Sequence, residues 1–83
     1  MSREERIHYA NAVWVAVLRK TGRNEVTCMA PAEWQVLSRW MEIPIPLRIV
    51  LRGIKDCGGK PGTLLGIRAA VEEAYRMWLK AMA

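Results

Sequence analysis

Apolar side chains recur at helical spacing in four stretches of this 83-residue chain, separated by short runs rich in glycine and proline. In the first stretch, 3–20, Ile7, Ala10, Trp14, Val17 and Leu18 share one face. The run VWVAVL, Val13 to Leu18, would also suit a buried strand. Its flanks decide for a helix: a charged first turn, then Arg19, Lys20 and Arg23 at the end where the helix dipole favours cations, and Gly22 as the stop.

A second helix is predicted over 31–42, opened by Pro31, with Val36, Leu37, Trp40 and Met41 inward and Trp34 on the shoulder. Its capping position is Ala30, which lacks an acceptor and forgoes about 1 kcal/mol relative to serine, so Thr27 is expected to assist. Pro44 and Pro46 force an extended elbow before a third helix over 46–57. There Leu47, Val50, Leu51 and Ile54 form the apolar face and Arg48, Arg52 and Lys55 a cationic one. Gly53, costing up to about 1 kcal/mol against alanine in mid-helix, marks a close approach by a neighbouring helix or by a phosphate backbone. The fourth helix, 63–82, places Leu64, Ile67, Val71, Ala74, Tyr75, Trp78 and Met82 on its apolar side and Arg68, Glu72, Arg76 and Lys80 opposite, spaced for ion pairs. The predicted fold is all-α, a compact bundle of four helices forming one domain over 1–83.

The loop GGKPGT, Gly58 to Thr63, invites a phosphate-binding reading, but Lys60 is followed by proline and the loop follows a helix, which excludes a nucleotide-binding P-loop. Gly58 is expected to end the third helix in a left-handed cap and Thr63 to cap the fourth. Lys60 and the amides at the start of that helix would still suit one anion.

Composition supports a folded globular chain, with 52% hydrophobic and 25% charged residues. The net charge of +5 is unevenly spread: residues 1–18 sum to zero, 19–23 to +3, 24–45 to −2, 46–68 to +4 and 69–83 to zero. Two positive segments of this kind suit attraction of a polyanion. The charged start MSREER and the shortness of every apolar run argue for a cytoplasmic protein without a membrane partner. His8, Cys28 and Cys57 lack metal-ligand spacing; His8 reads as a surface residue and the cysteines as reduced, half-buried thiols.

The order GR, MAPAEWQVLSRW, IPLRIVLRGI and AYRMW, from Gly22 to Trp78, resembles the C-terminal helical module of DnaD-like replication proteins. It is also similar to small bacterial proteins with an L-S-P-x-E-W start and a G-I-P-L-x-x-V-L-R-G-I third helix. The resemblance implies a DNA-associated module of helicase-loading or primosome type, with the last helix near DNA. Four departures stand against the pattern: Ala30 for the capping serine, Ile43-Pro44-Ile45 for a turn glycine, Ala74-Tyr75 for Ile-Leu, and Ala70 for a tyrosine.

These observations lead to a non-enzymatic nucleic-acid-binding accessory protein, with DNA favoured over RNA. Arg48, Arg52, Lys55 and Lys60 are expected to contact phosphates, with Arg19, Lys20 and Arg23 as a second contact region. No segment reads clearly as a recognition helix with base-reading Asn, Gln or Arg in its first turn, since the third helix starts with Pro46 and Leu47, so sequence specificity should be low. The alternative is a protein-interaction subunit, homodimeric or part of a larger complex, docking through Trp34 and Trp40. Tyr75 and Trp78 read as core before they read as base-stacking platforms. No catalytic set, cofactor motif or metal site is expected.

Overall fold

The computed structural model describes residues 1–24 and 26–83. It contains four helices: α1 (Arg3–Thr21), α2 (Pro31–Glu42), α3 (Leu47–Asp56) and α4 (Leu64–Met82). Every boundary lies within one residue of its expected place, and no strand occurs among the described residues. α1 packs between α2 and α3, and α4 packs against both α2 and α3, so α1 and α4 lie diagonally across the bundle.

Ser2 and Glu5 close a capping box on α1, each side chain accepting the other's backbone N–H at 3.1 and 3.3 Å. Gly22, at φ 71°, ends the helix in the left-handed conformation. The inward face carries Tyr9, Val13, Val17 and Leu18, whereas Ile7, expected inside, is 52% exposed. Tyr9 takes the inner position because its hydroxyl donates to the Ile45 carbonyl at 2.8 Å, which satisfies the polar end of a buried ring. Burial pushes the phenol's pKa upward. Ile45, between the two elbow prolines, is itself core, and its N–H donates to the Trp40 carbonyl at 2.8 Å.

α3 turns Ile49, Val50, Gly53 and Ile54 inward; Leu47 and Leu51, expected inside, are only partly buried. The rotation brings Gly53 against α4, where an added Cβ would stand 2.6 Å from Val71 Cα. Of the two roles open to Gly53, helix contact is therefore the real one. α4 buries Leu64, Ile67 and Val71, half-buries Ala74, Tyr75 and Trp78, and leaves Met82 exposed, so the five-turn core face expected from its sequence ends early. At 1.5 Å per residue, the 19 residues of α4 outrun the 10 of α3 by roughly 13 Å. The distal part of α4 lacks that cover.

The expected caps on α2 and α4 are replaced by one side chain. Glu33, 1% exposed, accepts the Ala30 N–H through Oε1 at 3.1 Å, closing the α2 N-terminus where Thr27 had been expected to act. Its Oε2 accepts the Leu64 N–H at 2.9 Å, so α4 is capped from α2, and the Thr63 side chain makes no capping bond. α3 ends at an extended Cys57, and the left-handed glycine of the following loop is Gly59, not Gly58.

Gly53→Ala should destabilise the protein by about 1–3 kcal/mol, because the methyl meets the Val71 backbone. Steric conflict thus outweighs the roughly 1 kcal/mol gain in helix propensity. Gly58→Ala, with open space around it, should stay within about 0.5 kcal/mol; urea unfolding of both variants makes the comparison.

Burial opposes ionisation of Glu33, but the Arg23 guanidinium and the Leu64 and Ala30 amides outweigh it, and its pKa falls below the ordinary 4.5. A depressed carboxylate contributes stability that is complete above the unfolded value and lost as pH falls through the folded one. Wild type should therefore exceed Glu33→Gln by about 1–3 kcal/mol at neutral pH, with the gap narrowing below pH about 4.5 when urea midpoints are followed across a pH series.

Candidate nucleic-acid interface

The ends of α1 and α3 bring together two basic segments that lie some 30 residues apart in sequence. Ala16, Leu51 and Ile54 floor a shallow groove of about 450 Å³, and Arg19, Lys20 and Lys55 rim it. Lys20 Nζ donates to the Lys55 carbonyl at 3.1 Å, capping the last turn of α3 and tying the two segments to each other. Arg48 and Arg52 continue the cationic line along the exposed side of α3, with Arg48 about 10 Å from Lys55 along the axis. Arg52 pairs with Asp56 at 3.7 Å, but both side chains are largely exposed and the pair is weak. Lys60 is exposed in the loop that leaves the same end of α3. The first amide of α4 is already taken by Glu33, so Lys60 joins this surface through its own charge rather than with that amide.

Arg23 does not belong to this surface. Its guanidinium forks onto Glu33, with Nη1 to Oε2 at 2.6 Å and Nη2 to Oε1 at 3.1 Å, and lies 5.1 Å from the centre of the Trp14 ring. With its side chain only 21% exposed, it is committed to the fold. Arginine stands here because a planar fork matches a buried carboxylate with two hydrogen bonds at once.

The two candidate docking tryptophans part company. Trp40 is fully buried, its indole N–H without an acceptor among the described residues, and cannot be a docking residue. Trp34 is 47% exposed on the outer side of α2. Tyr75 and Trp78 are partly buried and stack on each other, ring centres 6.0 Å apart at 23°, with the Arg48 guanidinium 6.0 Å from the Trp78 ring. On α4 Arg68 pairs with Glu72 as the spacing suggested, whereas Arg76 turns to Glu73.

His8 is exposed; Cys28 is exposed and Cys57 buried, so neither thiol is half-buried as expected. Among the described residues no three His, Cys, Asp or Glu side chains gather closely enough to hold a metal, and no helix is long and apolar enough to cross a membrane. Compared with protein-family models, with curated proteins and with solved structures, the chain matches none.

The partners that distinguish these cations lie far apart in the chain and are not marked by residue type. Glu33, at the third position of α2, carried the one available signal, since a glutamate there ordinarily reaches back to the capping N–H. Arg23→Ala should cost about 3–5 kcal/mol by leaving a buried carboxylate without its counter-charge. Arg19→Ala and Arg48→Ala should stay within about 0.5 kcal/mol; thermal and urea unfolding separate the structural arginine from the surface ones.

Proposed function

We propose that this protein is a non-enzymatic nucleic-acid-binding accessory protein of the cytoplasm that holds phosphates with low sequence specificity, DNA in preference to RNA. The observation that carries the reading is the meeting of Arg19 and Lys20 with Lys55 in one groove, continuous with Arg48 and Arg52 along α3. An apolar floor between cations lowers the local dielectric and strengthens their pull on a phosphate chain. The resemblance of Gly22 to Trp78 to DnaD-like modules favours the same class of partner.

Phosphate contact positions a protein without reading bases. α3 begins with Leu47, Arg48 and Ile49 after Pro46, so Arg48 is the one side chain among them with donors for a base edge, too few to read a sequence. A second reading, a subunit that binds other proteins, is favoured by the exposure of Trp34 in a groove that shares no residue with the basic one.

Fluorescence anisotropy with labelled single- and double-stranded oligonucleotides across a salt series tests the proposal. About five phosphate contacts give a log–log salt slope of roughly −4 to −5 on duplex DNA. Arg48→Glu/Arg52→Glu and Lys20→Glu/Lys55→Glu should each weaken binding and reduce the slope by about 2, since both pairs belong to one surface. Absence of binding by the wild type at low salt ends the nucleic-acid reading.

A further inference from the structure

α1 and α2 leave between them a second groove, of about 480 Å³, that shares no residue with the basic one. Met41 and Ala10 form its floor, Ile7 and Trp34 its walls, and Arg3 and Arg6 its rim. Ile7 and Trp34 are 52% and 47% exposed, a cost in wetted apolar surface that the fold itself does not relieve. Arg3 and Arg6 form no ion pair among the described residues, and no acidic side chain lines the groove. The first turns of α1 sort their charges: Glu4 and Glu5 face the other flank, beside His8, Tyr9 and Leu47, and the arginines face this one.

We propose that this groove is a docking site for an acidic amphipathic helix of a partner protein. From Arg3 to Ala10 the groove follows α1 for roughly 10 Å, or about two helical turns. That length accepts apolar anchors at i, i+4 and i+7 of a bound helix, with acids on its flanks meeting Arg3 and Arg6. Trp34, a rigid aromatic wall on α2, is the main anchor. A nucleic acid fits this groove poorly, because the cations number two and the walls are apolar. A second copy also fits poorly: each chain carries +5, and four of the eight acids are already bound to arginines within it. The partner is therefore a different, acidic chain.

The test uses two designed helical peptides of about four turns with the same leucine face, one flanked by glutamate and the other by lysine. Anisotropy is measured on the full chain and on Trp34→Ala, Arg3→Glu/Arg6→Glu and Arg48→Glu/Arg52→Glu, with circular dichroism of each. Glutamate in the first turn of α1 suits the helix dipole, so the Arg3/Arg6 variant should keep its fold. The glutamate peptide should bind at least roughly tenfold more tightly than the lysine peptide. Trp34→Ala should lose roughly tenfold or more, and Arg3→Glu/Arg6→Glu should reverse the preference while Arg48→Glu/Arg52→Glu retains it. No saturable binding by the wild type, equal binding of both peptides, or loss of preference in the α3 variant would each overturn the proposal. So would displacement of the glutamate peptide by a single-stranded oligonucleotide, or self-association abolished by Trp34→Ala. The α3 cations lie outside this groove, so failure here leaves the nucleic-acid reading standing, and the converse holds.

Discussion

A single buried carboxylate holds the bundle's ends in register. Glu33 accepts the Ala30 amide at the start of its own helix, the Leu64 amide at the start of α4 and the fork of Arg23 from the segment that follows α1. A helix N-terminus leaves orphan N–H groups and a partial positive charge. Glu33 meets two such ends and one full charge with a single side chain. Its own burial would be prohibitive without those partners, which is why the ion pair and the two caps must form together. The arrangement also fixes which cations remain available. Arg23, next to Arg19 and Lys20 in sequence, is drawn inward onto Trp14 and Glu33, while its neighbours are left at the surface.

The rest of the core is arranged around comparably local exchanges. Tyr9 and Ile45 meet across the elbow, where the expected extended segment is a turn after α2, and this lets the proline-bounded turn contribute a buried side chain. Gly53 sets how closely α3 approaches α4, and this rotates the arginine line of α3 to the outside. The cationic face of α3 is thus a consequence of packing. A glycine at 53 and β-branched residues at 49, 50 and 54 turned inward leave 48, 52 and 55 nowhere to point but outward.

Helix positions were legible in the sequence because proline, glycine and apolar spacing are local signals, and each boundary lay within one residue of expectation. Which residue of a stripe is buried was less legible. Ile7 and Met82 fit their stripes by spacing, yet burial also needs a neighbour to cover them, and the lengths and placement of other helices decide that. The caps failed for the same reason. Thr27, Thr63 and Gly58 are the residues expected there, but Glu33 caps its own helix from the third position and α4 from across the bundle, which leaves the threonines without that work. The separation of Arg23 from Arg19 and Lys20, and of Trp34 from Trp40, likewise depends on long-range contacts that residue type does not encode.

Charge on this surface is organised by what remains after internal needs are met. Arg23, Arg52, Arg68 and Arg76 have acidic partners within the chain, and Lys20 caps α3. Arg19, Arg48, Lys55 and Lys60 lie along α3 and the helix ends beside it, whereas Arg3 and Arg6 flank the apolar groove between α1 and α2. The same charge type acts differently on these two faces. Along α3 the cations are spread over about two helical turns, a spacing that suits a repeating phosphate chain. Beside Trp34 two cations border an apolar trough, and there the charge selects the sign of a partner while burial of apolar surface supplies most of the affinity.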